Sequence, residues 1–308
     1  MTLVSVIIPT YNRASLVPRA IASVLSQTHR PIELVVVDDG STDATEEVVR
    51  TLEAPNLRYI RHERNQGQCA AINTGILAAK GEFVSFLDSD DEWRPEMIRK
   101  QLDVFAQHDA RMGVAYTLAG ALGPDGKLAP SHVSRLHGRI YRDALAQGHV
   151  AHSIAMLVRR RCFDRVGLFD TQFASFQDDD LCFRLAKEYE FGLVPEMLAV
   201  IHPGAADRLT KDRRSYAQGW LDLLRKHEAD ILTECGARVL SRHYFRAGLL
   251  FLDAGERREA FASFARAFRL ARSARSAGGA LISLLPLPRF WLAVVRSRPR
   301  TSPRENIH

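Results

Sequence analysis

The chain has 308 residues, 46% of them hydrophobic, which is enough for one large α/β domain with an extension or for two modest domains, each with a real core. Its formal charge of +6 is unevenly spread: beyond residue 235 there are 14 arginines against 4 acids, a surplus of 10, which leaves the first 235 residues at −4 with 28 basic and 32 acidic groups. The basicity therefore belongs to the tail, where nucleic acid, anionic lipid and plain solubility are all compatible with it, and it says nothing about a site in the body of the chain.

The opening run Met1 to Pro9 has no basic flank and breaks at Pro9 after a strand's length, so it reads as a first β-strand and not as a signal peptide. Strands are predicted at 4–8, 33–38, 57–61 and 83–87, alternating with segments of helical period, a pattern that predicts a mainly parallel sheet with crossover helices. Ser15 is expected to cap a helix that buries Leu16, Ile21, Val24 and Leu25, and Asp43, with Glu46 three residues on, to cap a second. A third, small and apolar, covers about 68–79 and ends near Gly81.

A helix is predicted over 95–107 with Pro95 in its first turn. Residues 120–153 have no readable period. They hold a turn at Gly123–Gly126 and four histidines, His132, His137, His149 and His152, and are expected to be mobile. A strand follows at 154–159, a helix at 178–188 and a strand at 191–200, and the chain is helical after 205, with a helix pair between Tyr244 and Phe268. Ala277 to Pro288 is uncharged but interrupted by Pro286, and it falls short of the roughly 20 apolar residues that a membrane span needs. With Phe290, Trp291 and the arginines behind it, it suits either a membrane interface or a cap on the protein's own core.

Cys69, Cys162, Cys182 and Cys235 are far apart, with no Cys-x-x-Cys pair and no matching histidine spacing, and are read as reduced residues of a cytoplasmic protein. There is no Gly-x-Gly-x-x-Gly, Walker loop or His-Glu-x-x-His, so redox cofactors, NTP hydrolysis and zinc hydrolysis have no support. Chemistry concentrates in carboxylates. Asp88, Asp90, Asp91 and Glu92 crowd one turn after a strand, and like charges so close raise a pKa unless a cation or donors hold them ionised. Oxygen-only ligands suit Mg²⁺ or Mn²⁺, ions commonly shared with phosphates. Asp38 and Asp39 end the second strand, another carboxyl end where open α/β sheets bind ligands, and helix capping accounts for Thr42 or Asp43 but not for them. Asp178, Asp179 and Asp180 open the later helix, where the helix dipole favours acids.

Val4–Arg13, Val37–Asp43, Asn65–Gly67, Ala71–Gly75, Gly81–Trp93 and Gly167–Asp170 together, in this order, resemble family 2 glycosyltransferases with the GT-A fold, over about residues 3–203. The resemblance implies a Rossmann-like α/β fold, a mixed, mainly parallel sheet flanked by helices. It implies a glycosyltransferase domain over 1–204, divided into a nucleotide-binding half (1–110) and an acceptor-side half (111–204), followed by a basic helical extension, 205–308. It further implies an inverting, Mn²⁺- or Mg²⁺-dependent glycosyltransferase that moves a sugar from a nucleotide-diphosphate donor, with UDP favoured, to a hydroxyl of a saccharide, lipid-linked or small acceptor in polysaccharide or cell-surface glycan synthesis. Pro9, Thr10, Tyr11, Asn12, Arg13, Asp39, Gln68, Asn73, Asp88 and Ser89 are placed on the donor nucleotide, with Asp39 taking the uracil imide N–H. Asp90, Asp88, Asp91 and His202 are placed at the metal, Asp90 first, and Asp178 as the general base, its pKa raised by Asp179 and Asp180.

The chain departs from the family at Gln177, where Glu is usual, and at Ile72, where many members have Arg; Arg64, Gln68 or Arg208 would then serve the diphosphate. A cytoplasmic protein follows, with peripheral contact to an anionic membrane through its tail and no nucleic acid partner. Two alternatives stand beside this reading. A non-catalytic sugar-nucleotide or glycan-binding scaffold would work through the tail. A sugar nucleotidyltransferase would need a Gly-rich phosphate loop that Pro9–Arg13 does not supply.

Overall fold

A computed structural model describes residues 2–52, 54–132, 134–203 and 212–284, which fall in two compact units divided between Arg208 and Leu209. In the first unit, β1 (Val4–Thr10), β2 (Ile32–Asp38), β3 (Leu57–Arg61) and β4 (Phe83–Phe86) are parallel and stand in the order β3-β2-β1-β4. β1 and β2 are mostly apolar and almost wholly buried because helices cover this half of the sheet. The crossovers are α1 (Val17–Leu25), α2 (Thr45–Thr51) and α3 (Gln68–Ala78). α3 lies tightly on β1 only because position 75 is glycine: a Cβ there would stand 2.4 Å from Ile7 Cγ2.

Beyond β4 come β5 (Glu92–Trp93), α4 (Met97–Ala106), β6 (Met112–Leu122), β7 (Leu128–His132), α5 (Tyr141–Gln147), β8 (Met156–Arg159), α6 (Cys162–Val166), α7 (Gln177–Glu188) and β9 (Glu190–Ile201). The sheet continues from β4 through β8, β6 and β9 to β5. β6 runs parallel to β9, the other contacts in this half are antiparallel, and β7 adds a hairpin to β6. The core between sheet and helices is built from Val6, Ile8, Ile21, Val36, Trp93 and Ile98, all buried.

Several expectations change. α1 starts at Val17 after Leu16 and takes no cap from Ser15; Ile21 and Val24 are buried as predicted, Leu16 and Leu25 only partly. α2 starts after Ala44 without a side-chain cap, so Asp43 is not its N-cap; one Asp43 oxygen accepts Thr45 N–H at 3.0 Å and the other reaches across to Ala14 N–H at 3.1 Å. Residues 120–153, expected to be mobile, carry the β6–β7 hairpin, closed by Gly123 and Gly126, and α5. β6 itself was not predicted. No two of the four cysteines share a disulfide.

In the second unit, α8 (Arg213–Cys235), α9 (Ala237–Ala254), α10 (Arg257–Ala271) and α11 (Ala274–Leu284) are separated by breaks, two of them at the left-handed Gly236 and Gly255. Asp212 caps α8 through the amides of Arg214 and Ser215. α9 and α10 form the helix pair predicted between Tyr244 and Phe268, with Gly248 against the buried Phe264 ring. Among the described residues no helix is long and apolar enough to cross a membrane. Pro286, Pro288, Phe290, Trp291 and the arginines after them lie outside the described residues, as does Arg208.

Candidate functional site

The carboxyl ends of β1, β2 and β4 form one rim. At the first, the chain turns through Asn12 in the left-handed region (φ 52°), a conformation that asparagine tolerates better than most residues. Its carboxamide oxygen accepts Thr42 N–H at 2.8 Å while its own amide donates to Ser41 Oγ at 2.9 Å, and Arg13 N–H donates to Thr45 Oγ1 at 2.9 Å. Residues 9–13 and 41–45 are thus laced together. Tyr11 projects outward, 40% exposed, beside Thr10, whose hydroxyl is buried and meets no partner.

Asp38 and Asp39 have separate tasks. Asp38, wholly buried, accepts the Tyr59 hydroxyl and Ser41 N–H, which ties β2 to β3 and to the turn. Asp39, also buried, accepts Gln66 N–H at 2.9 Å, Gly67 N–H at 2.7 Å and His62 Nδ1–H at 2.7 Å. His62 Nε2 in turn lies 2.9 Å from Thr74 Oγ1 on α3. An ionised carboxylate offers about four lone-pair positions, so about one remains for an outside donor. Sequence reasoning missed His62, although its place just past a parallel strand is the kind of position that singled out Asp39.

At the end of β4, Asp88, Asp90 and Asp91 bring carboxylate oxygens within 4.8 Å of one another. Gln68, the first residue of α3, donates Nε2–H to Asp88 Oδ1 at 2.8 Å. Asp91, buried, accepts His202 N–H at 2.9 Å. The His202 ring does not join the group; its Nε2 faces Glu92 Oε1 at 3.5 Å. Ser89 is buried in the same turn.

α3 connects this cluster to the start of α7. Next to Gln68, the buried Cys69 donates to Phe173 O at 3.8 Å, and its thiol is pushed up to about 12, first by burial and then by the charges of Asp178, Asp170 and Asp180. Asn73 exchanges two hydrogen bonds with the Phe169 main chain, at 2.8 and 2.9 Å, which engages both ends of its carboxamide as a tie between α3 and the loop before α7. That loop ends at Phe176 with φ 65°, a strained conformation for an aromatic residue and one that sets the entry into α7.

Asp178, half-buried, accepts Ser153 N–H on Oδ2 at 2.9 Å, while its buried Oδ1 meets no donor. Burial raises its pKa from 3.8 to about 6; the Ser153 amide opposes the rise, the Asp179 charge adds to it, and the Ser153 hydroxyl and then His149 lower it. Asp180 is paired with Arg184 on the same helix. His149 and Ser153 are site residues that sequence reasoning did not find.

Residues 5–167, more than half of the chain, match the family described as Glycosyl transferase family 2. The chain belongs to that family. This family 2 glycosyltransferase is 47% identical over 117 residues to an uncharacterized glycosyltransferase of Nostoc sp., alr2836, a stretch that covers 37% of this chain and 36% of the relative, so it spans about a third of that protein. It is 29% identical over 238 residues to the putative colanic acid biosynthesis glycosyl transferase WcaA of Escherichia coli K12, 73% of this chain and 81% of that one. Its fold is that of the GT-A enzymes. S. aureus TarS superposes with a TM-score of 0.62 at 20% identity over 96% of this chain and 53% of TarS, which has also been crystallised with UDP-GlcNAc. The mannosyltransferase PcManGT of Pyrobaculum calidifontis, in complex with GDP-Man and Mn²⁺, gives 0.61 at 21% over 94% and 83%.

Proposed function

We propose that this glycosyltransferase moves a sugar from a nucleotide-diphosphate donor, UDP-linked, to an acceptor hydroxyl with inversion at the anomeric carbon, in polysaccharide or cell-surface glycan synthesis. The observation that carries the reading is the joining, by Gln68 and Cys69 of α3, of two differently held sets of carboxylates: the Asp88, Asp90 and Asp91 cluster, and Asp178 with its unpartnered buried oxygen. The cluster fits a hard divalent ion, because every donor is a carboxylate oxygen and the three are close enough to share one centre. Asp90, Asp88 and Asp91 would hold Mn²⁺ or Mg²⁺, which when bound would offset the negative charge of the departing diphosphate. We place the His202 imidazole beside that set, toward Glu92.

Asp178 then takes the acceptor's proton. A pKa near 6 makes it a better proton acceptor than an ordinary aspartate while it remains ionised at neutral pH. One base serving one displacement, from the face opposite the diphosphate, inverts the centre. The remaining acceptor position of Asp39 suits the single imide N–H of uracil, and Tyr11 stands exposed at the same rim. The complexes of TarS and PcManGT support the nucleotide-sugar class, and the name of WcaA supports the polysaccharide setting. The surplus of 10 positive charges beyond residue 235 supports a cytoplasmic enzyme in peripheral contact with an anionic membrane.

The test is a panel of UDP- and GDP-sugars with Mn²⁺, read by melting temperature and by release of nucleotide. At least one UDP-sugar should raise Tm and be turned over. Asp90→Ala should abolish both effects, and Asp178→Asn should keep the Tm shift and lose turnover. If no nucleotide sugar raises Tm with Mn²⁺ present, the reading fails; a scaffold would instead keep its function in Asp178→Asn and lose it on truncation of the tail.

A further inference from the structure

The three adjacent carboxylates that open α7 each meet a different partner. Asp180 binds Arg184 one turn later, through Nε at 2.9 Å and Nη2 at 2.8 Å, and the same guanidinium donates to the carbonyls of Val166 and Leu168. Asp179, buried, accepts the Nδ1–H of His149. Among the described residues Asp178 meets Ser153 alone, through its amide at 2.9 Å and its hydroxyl, with no cation paired to it. Asp180 is therefore matched by a guanidinium and Asp179 by an imidazole, while Asp178 has neither, which is how a base differs from its neighbours in a patch of identical side chains.

Two of those partners come from one segment. α5 ends at the left-handed Gly148 (φ 77°), and residues 149–153 then cross the start of α7 with alternate residues turned toward it. His149 meets Asp179, the Ala151 carbonyl accepts Cys182 Sγ–H at 3.8 Å, and Ser153 N–H meets Asp178. His152 turns the other way, to Ser131 Oγ at 3.1 Å on β7, while its ring stays 4.8 Å from that of His149. Of the contacts to α7, the His149–Asp179 pair involves a buried carboxylate and an imidazole, and so it is the strongest clamp on the segment.

We propose that Asp179 and His149 are a positioning pair for Asp178: they pin residues 149–153 to α7, keep the Ser153 amide on one oxygen of Asp178, and keep the adjacent negative charge matched. The proposal rests on the reading of Asp178 as the general base. Charged and titratable groups face that carboxylate from each element around it: Asp179 and Cys182 from α7, Cys69 from α3 and His149 from the segment, while His149 itself faces Asp179 and His152. Asp179 and His149 act on Asp178 with opposite sign, which makes the role separable from simple scaffolding.

The experiment uses the full chain with Mn²⁺ and whichever of UDP-glucose, UDP-galactose, UDP-N-acetylglucosamine and GDP-mannose raises Tm most, and reads nucleotide release against pH. His149→Ala should lower kcat about 10- to 100-fold, the scale expected when a reacting group is misplaced by about an ångström, with donor KM within about twofold. His149→Asn keeps an N–H for Asp179 without the ring's charge; it should recover most of kcat, with the acidic limb of the kcat profile moved to higher pH. Asp179→Asn should move that limb to lower pH. Limbs that move the same way, a silent His149→Ala, or losses that follow donor binding and Tm in every variant would each overturn the proposal. An active Asp178→Asn would remove the base reading itself; an inactive Asp178→Asn with silent His149 variants would overturn the positioning pair alone.

Discussion

Gln68 Nε2 donates to Asp88 Oδ1 at 2.8 Å, so the first residue of α3 holds the carboxylate that leads the acidic cluster. A side chain that orients a metal-binding carboxylate without touching the ion typically changes metal affinity by about 10- to 100-fold when removed. Gln68→Ala should therefore need about tenfold more Mn²⁺ for half-maximal turnover. A titration of activity with Mn²⁺ checks this, and an unchanged midpoint would remove Gln68 from the support of the site.

Asp178 should cost stability where it works. Its folded pKa, about 6, lies above the ordinary 3.8, so the folded protein holds that proton more tightly than the unfolded chain. Below about pH 4 both states are protonated and no penalty exists. As pH rises through 6 the folded state is ionised at a loss, and above it the full penalty, about 1–3 kcal/mol for a half-buried group, is present. Asp178→Asn keeps the acceptor for Ser153 N–H and removes the charge. Its Tm should exceed that of the parent at pH 7.5, and the difference should shrink toward pH 4. A gain independent of pH would contradict a raised pKa at Asp178.

The parallel half of the molecule was legible because its signals are local. Strands such as Val4–Thr10 and Ile32–Asp38 are mostly apolar, broken only by Ser5 and Glu33 before their polar ends, and an acid at the end of such a run is visible without knowledge of its neighbours. β6 was hidden by Gly113 and Gly120, which weaken a strand pattern; Gly113 is needed because a Cβ there would come 2.6 Å from Tyr189, a contact 76 positions away. The division of labour at Asp178, Asp179 and Asp180 was equally illegible. The three side chains are chemically the same, and only Ser153, His149 and Arg184, delivered by the fold, make them different.

Gly75 sets how close α3 comes to β1, and hence where Gln68 and Cys69 stand. A methyl group at this position would press to 2.4 Å on Ile7 Cγ2 and 3.0 Å on Ile7 Cγ1, in a core without room to yield. Gly75→Ala should destabilise the protein by about 1–3 kcal/mol despite its better helix propensity, and displace α3. Chemical denaturation measures the first effect. The second should show as weakened Mn²⁺ activation, as in Gln68→Ala.

If Asp39 meets the donor base as proposed, it joins donor recognition to the loop that leads into α3. Its carboxylate accepts the amides of Gln66 and Gly67, and Gly67 holds φ 94° immediately before Gln68. Asp39→Asn replaces one oxygen with an NH₂ group, which turns a donor toward groups that are already donors: either the Gln66 amide and His62, which share Oδ1, or the Gly67 amide on Oδ2. A buried donor left without an acceptor costs about 1–3 kcal/mol. The variant should therefore lose protection from hydrogen exchange at Gln66 or at Gly67, and bind UDP at least about tenfold more weakly, since 1.4 kcal/mol corresponds to a factor of ten. His62→Ala, which removes one donor and leaves both amides bonded, should show the same changes to a smaller degree. Weakened UDP binding with unchanged exchange at the two amides would mean that Asp39 meets the base directly and that the loop plays no part in it.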